Sequence, residues 1–169
     1  MKVTFRILAS LLLEVRTDLA RPHHFAAERV GFISCNVASL NDKGILILAR
    51  TFHPVDDHDY LDDPRVGAMM GPEAIRKALQ LAYKAPMAMF HVHVHEHHGR
   101  PWFSRTELSE NANVIPDFWH VRPTFPHGAI VLSLDSMAEM CWMPGGRKPV
   151  RIQSFAAVGA PMQLARGQA

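Results

Sequence analysis

The sequence predicts an α/β protein of the α+β kind, a single domain with one mixed β-sheet flanked by helices. Three observations predict it. Two-residue hydrophobic alternation, the mark of a half-buried strand, recurs along the chain, as in Val3-x-Phe5-x-Ile7 and "MAMFHVHVH". Segments of helical spacing such as "ASLLLEVRTDL" and "PEAIRKALQLAYK" lie between such stretches. The resulting order, β-α-β-β-α-β-α-β-β-β, calls for a mixed sheet with helices against it. A length of 169 residues suits one domain, and 48% hydrophobic with 20% charged residues describes a globular chain, not a disordered one.

Each element has its own local reason. Val3, Phe5 and Ile7 make a short strand, followed by a helix over "ASLLLEVRTDL". "ERVGFISCNVASL" and "GILILARTF" are rich in β-branched residues, and "NDKG" between them has turn chemistry, so a hairpin is expected. "HPVDDHDYLDDPRVGAMMG" holds five aspartates, two prolines and two glycines and reads as an exposed loop. In "GPEAIRKALQLAYK" proline and glutamate open the first turn, and Ile75, Leu79 and Ala82 share a face: a helix. "APMAMFHVHVH" returns to alternation. "SRTELSENANVIPDF" is helical, with Ser104 at the N-cap, until Pro116 intervenes. "GAIVLSL", "AEMCWM" and "VRIQSFAAV" are three further strands, with "PGGRKP" as a turn before the last. The domain is expected to span 1–160, and the polar stretch after Pro161, within the 161–169 tail, is expected to fray.

Composition narrows the function. A net charge of +2 gives no ground for nucleic-acid binding, and no apolar run approaches the length of a membrane span. The apolar stretch Ile7–Leu13 is short, flanked by Arg6, Glu14 and Arg16, and lacks a small-x-small cleavage site, so no signal peptide is expected. Cys35 and Cys141 do not make a disulfide framework; both are expected reduced in the core, which suits a cytoplasm.

The chemistry concentrates in "FHVHVHEHHGRPWFSRTE", Phe90 to Glu107. On a strand, His91, His93 and His95 project from one face, roughly 6.5–7 Å apart along it. Two such imidazoles can hold one tetrahedral Zn²⁺ at about 2.0–2.1 Å each, especially where the strand ends and bends. A further ligand must come from elsewhere; the nearest downstream carboxylate in a fixed position is Glu107. The same residues admit plain structural readings: histidines on a solvated strand face, and Ser104-x-x-Glu107 as a capping box. Their occurrence together, a short polar loop apart, favours the metal site.

At these residues the chain resembles the JAB/MPN family of JAMM metallopeptidases, whose signature is H-x-H, a loop, then S-x-x-D. An early glutamate followed closely by a glycine completes the family pattern, and Glu28 with Gly31 in "ERVGFISC" matches it. The resemblance covers roughly 3–160 and is most similar to bacterial JAB proteins of ubiquitin-like modifier pathways. Two departures stand out. The loop from His95 to Ser104 has eight residues (Glu96–Phe103) where the family has seven, and Glu107 replaces the usual aspartate.

The resemblance implies a JAB/MPN-like fold and one zinc per chain on His93, His95 and Glu107, with His91 as a competing ligand register. It implies Glu28 as general base and the Ser104 hydroxyl as a hydrogen-bond donor to the oxyanion. The implied reaction is deubiquitinase-like hydrolysis of a peptide or isopeptide bond after the C-terminal tail of a ubiquitin-like protein, by processing or deconjugation. Partners would be that protein or its conjugates, and the activating and conjugating enzymes of its pathway. Two other readings stay open. One is a non-catalytic MPN-fold scaffold. The other is a histidine-triad nucleotide hydrolase, which "HVHVH" imitates, although Glu96 and His97 stand where that family has hydrophobic residues. Asp56, Asp57, Asp59, Asp62 and Asp63 are expected to form an acidic loop attracting a basic tail, which would add as a strand at a sheet edge. Trp102 and Phe103 are expected to pack the histidine loop onto the core, and His97 and His98 to be solvated.

Overall fold

The computed structural model describes residues 2–41 and 44–159 and the backbone of 163–166. Its elements are β1 (Lys2–Leu8), α1 (Ala9–Leu19), β2 (Val30–Ser39), β3 (Gly44–Pro54), α2 (Pro72–Lys84), β4 (Ala88–Val94), α3 (Arg105–Val121), β5 (His127–Leu132), β6 (Met137–Trp142), β7 (Val150–Arg151), β8 (Ser154–Val158) and β9 (Gln163–Arg166). The mixed sheet flanked by helices is therefore present. The β2–β3 hairpin forms as expected, while Asp42 and Lys43 of its "NDKG" turn lie outside the described residues.

The strands form one sheet in the order β7-β6-β5-β4-β2-β3-β1-β8-β9. β1 runs parallel to β3 and β8, and β4 parallel to β5; the remaining neighbours are antiparallel. Alternation sends each strand's side chains to opposite faces. On one face Phe5, Phe90, Val92, Ile130 and Phe155 pack with Leu11, Leu12, Val15 and Leu19 of α1. On the other, Phe32 and Met89 meet Ala74, Ala78 and Ala82 of α2 and Phe118 of α3, while Ala129, Val131, Ala138 and Trp142 meet Ile115 of α3. α2 buries its alanines deepest, with Ile75 and Leu79 packed beside them.

The sheet curls back on itself. Only Ile152 and Gln153 separate β7 from β8, a link that reaches about 11 Å at most. In a flat sheet the order would set these strands roughly 34 Å apart, at ~4.8 Å per step. The expected single strand "VRIQSFAAV" is thus two: β7 pairs with β6, and β8 with β1. Between them Ile152 is buried and the Gln153 N–H donates to the Val3 carbonyl at 2.9 Å, stapling the join.

Three other expectations are corrected. α3 continues through Pro116 to Val121. The proline deprives the Ala112 carbonyl of its helical donor, but Ala112 is exposed, so water can satisfy that group. The aspartate-rich segment is not simply exposed: Val55, Asp59 and Tyr60 are buried, Asp57–Asp59 forms a 3₁₀ turn, and Tyr60 bridges to Met70. Within the stretch expected to fray, Gln163–Arg166 pairs antiparallel with β8, whose outer edge would otherwise expose its backbone groups; residues 167–169 lie outside the described residues. Cys35 and Cys141 are both buried free thiols, as expected, and burial pushes Cys141 up to about 12.

His127, at the start of β5, is fully buried. Its Nδ1 accepts the Met89 N–H at 3.1 Å, so the ring is neutral, and burial pushes its pKa down to about 4. The unfolded chain takes up this proton near pH 6.5 and the folded one only near 4, so stability is full above about 6.5 and falls on acidification between these values. The expected loss from this group is on the order of 3 kcal/mol. In urea unfolding at stepped pH, His127→Asn, which keeps an acceptor for Met89, should show a correspondingly shallower decline.

Candidate metal centre

The site forms where β4 ends. Phe90, Val92 and Val94 face the α1 core, so alternation directs His91 and His93 to the opposite face, toward α3. β4 is an interior strand, with His93 in register with Val30 of β2 and Val131 of β5. Just past the strand, the His95 N–H donates to the Leu132 carbonyl at 2.8 Å, and its ring returns to that of His93 at a centroid distance of 4.9 Å.

α3 supplies the carboxylate. Ser104 is its N-cap: Ser104 Oγ accepts the Glu107 N–H at 3.2 Å, and Glu107 Oε2 accepts the Ser104 N–H, completing a capping box. The other oxygen, Glu107 Oε1, contacts His93 Nε2 and lies 3.0 Å from His95 Nε2. Glu28 sits two residues before β2 and not on the strand, yet it reaches the same point. One ligand atom from each of Glu28, His93, His95 and Glu107 lies within 4.8 Å of all the others.

These atoms fit a metal. Donors around a tetrahedral ion at about 2.0–2.1 Å stand roughly 3.3 Å from one another. The two histidine Nε2 atoms are 3.2 Å apart, and the His95–Glu107 pair is 3.0 Å apart. Two imidazoles with a carboxylate are the protein donor set of an open zinc site. His91 stands outside this convergence. Its ring packs on His93 at 5.4 Å, its nitrogens are buried without hydrogen-bond partners, and burial together with His93 pushes its pKa down to about 3. Of the two ligand registers, the structure brings His93 and His95 together.

The two glutamates are driven in opposite directions. Burial raises the Glu28 pKa, and neighbouring Glu107 and Glu96 add to the rise against the pull of His93 and His95. For Glu107 burial also acts upward, but hydrogen bonds from His93 and Ser104 outweigh it and hold the carboxyl well below the usual range.

A cavity of about 510 Å³ opens beside these residues. One wall is the loop Arg65–Met70; α2 contributes Ile75, and α3 contributes Glu110 and Val114. Several residues that surround or support the centre carry no motif in the sequence. Asn111, buried on α3, donates to the Glu107 carbonyl at 2.8 Å; its place one turn beyond Glu107 was the available signal. Arg29 is buried beside Glu28, donating to the Arg21 and Pro22 carbonyls and pairing with Asp57 at 2.7 Å. The Tyr60 hydroxyl accepts the Val30 N–H at 2.8 Å.

The aspartate loop is largely engaged within the chain. Asp56 and Asp59 hold Lys77 at 2.6 and 2.7 Å, Asp57 pairs with Arg29, and Asp63 with Arg65 at 2.6 Å. Phe103 packs into the core as expected, but Trp102 is 68% exposed, lying over a half-buried His97. No helix among the described residues is long and apolar enough to cross a membrane.

No known protein family and no curated protein matches this chain.

The geometry sets a metal-binding expectation. Titration calorimetry with Zn²⁺ should give one site per chain, lost in His93→Ala and His95→Ala and retained in His91→Gln. Retention in His95→Ala with loss in His91→Gln would reverse the register.

Proposed function

We propose that the chain is a zinc-dependent peptidase or isopeptidase of the JAB/MPN kind, acting after the C-terminal tail of a ubiquitin-like protein. The observation that carries the reading is the meeting of Glu28, His93, His95 and Glu107 within 4.8 Å, beside a helix capped by Ser104. It brings together the glutamate, the two histidines and the capped helix of the motif that the sequence resembles, with Glu107 in place of the aspartate. A histidine-triad hydrolase would give no reason for two carboxylates at the histidines, and a scaffold would give none for all four groups converging on one point.

His93, His95 and Glu107 would hold the ion. Zinc, when bound, acidifies water to a pKa of ~7 and so supplies a nucleophile at neutral pH. Glu28 is the carboxylate free of the capping box, and it lines the cavity with His93, His95 and Glu107. It accepts the proton of the attacking water and returns it to the leaving amine. Ser104 Oγ serves as acceptor toward the Glu107 N–H, which leaves its own proton to donate. That proton stabilises charge developing on the scissile carbonyl oxygen; one such donor is worth about 2.7–4 kcal/mol of barrier. The adjoining cavity takes the chain on either side of the bond.

The test is cleavage of ubiquitin-like fusions and isopeptide conjugates by the zinc-loaded protein. Glu28→Gln should retain one zinc and lose turnover by at least about 10²-fold. Ser104→Ala should lose a similar factor in kcat while also costing about 1 kcal/mol of stability through the lost cap. Full turnover in Glu28→Gln would remove the assigned base.

A further inference from the structure

We propose that Gly67 is a positioning residue for Glu28: the space a side chain would fill at 67 is the space the Glu28 carboxylate occupies. The inference rests on the reading of Glu28 as the base. A Cβ at Gly67 would lie 2.8 Å from Glu28 Cδ and 3.0 and 3.1 Å from its two oxygens. The requirement for glycine is spatial and not conformational. Among the described glycines, positive φ belongs to Gly44, Gly99 and Gly145, and not to Gly67.

The two residues are also joined through the backbone, since the Glu28 N–H donates to the Gly67 carbonyl at 3.0 Å. Nor can the chain around Glu28 retreat as a unit. Arg29 is tied to Arg21, Pro22 and Asp57, and both backbone groups of Val30 bond the Tyr60 hydroxyl. A methyl group at 67 therefore leaves Glu28 one response, a swing of its side chain away from its present place beside His93, His95 and Glu107. Because Gly67 belongs to the Arg65–Met70 wall of the cavity, the segment that bounds the substrate space also seats the base.

The decisive variant is Gly67→Ala. The expected result is a kcat lowered about 10–100-fold with KM nearly unchanged, as a displacement of ~1 Å at a reacting group gives. Zinc stoichiometry and the thermal midpoint should match the parent, which separates displacement of the base from misfolding. Aspartate at 28 draws the carboxylate back by one methylene, so Gly67→Ala should cost little further activity in a Glu28→Asp background. Parent-like kcat in zinc-loaded Gly67→Ala, or an equal loss in both backgrounds, overturns the proposal.

A second readout needs no substrate. In the Co²⁺-loaded protein, Glu28→Gln and Gly67→Ala should alter the visible spectrum in the same direction. A spectrum changed by Glu28→Gln but not by Gly67→Ala overturns the positioning role alone. One changed by neither removes Glu28 from the centre, and the base assignment fails with it.

Discussion

The centre depends on one carboxylate serving two elements. Glu107 Oε2 closes the N-terminus of α3 by accepting the Ser104 N–H, while Oε1 meets the histidines at the end of β4. The first contact fixes where α3 begins, and the second ties that beginning to the sheet. Glutamate suits this double task. Its reach back to the N-cap N–H is what the third helical position of a capping box asks for, and glutamate or glutamine is the residue that provides it. The structural and chemical readings of Ser104-x-x-Glu107 are therefore one arrangement: the cap orients the carboxylate that the histidines use.

The opposite face of β4 explains why the histidines stay in place. Phe90, Val92 and Val94 are locked into the α1 core, and a slip of one residue would exchange them with His91 and His93. Such a slip would bury imidazoles in an apolar layer and turn the Phe90 ring to the α3 side. The same alternation was readable in the sequence, as were α1, α2, the β2–β3 hairpin and the Ser104 cap, because each is encoded by neighbours a few residues apart. Which of the histidines meets Glu107 was not readable. His91, His93 and His95 share one face, and the choice among them follows from where α3 begins relative to the end of β4.

Other features were hidden for similar reasons. The break between β7 and β8 follows from the curl of the whole sheet, and nothing within "VRIQSFAAV" announces it. Pro116 looks like a helix end until the exposure of Ala112 is known. The aspartate-rich segment reads as a solvated loop because its cations, Arg29 and Lys77, lie about twenty or more residues away in sequence. Once paired, these acids act as fasteners. Asp57 helps hold the buried Arg29 guanidinium, whose remaining donors reach the Arg21 and Pro22 carbonyls, so a buried charge next to Glu28 is kept paired and hydrogen-bonded.

Two carboxylates a few ångströms apart would ordinarily compete, each raising the cost of ionising the other. Here their surroundings divide the work. Glu107 accepts hydrogen bonds from His93 and Ser104, which favour its charged form and outweigh its burial. Glu28 is half-buried, is not among the capping groups, and lies against the backbone of Gly67, so burial dominates and its proton is held more tightly. A carboxylate that binds a proton readily suits proton transfer, and one that refuses it suits a cation. The division follows from packing: Glu107 gains its partners from the start of a helix, and Glu28 loses solvent to a loop that has no side chain where the two meet.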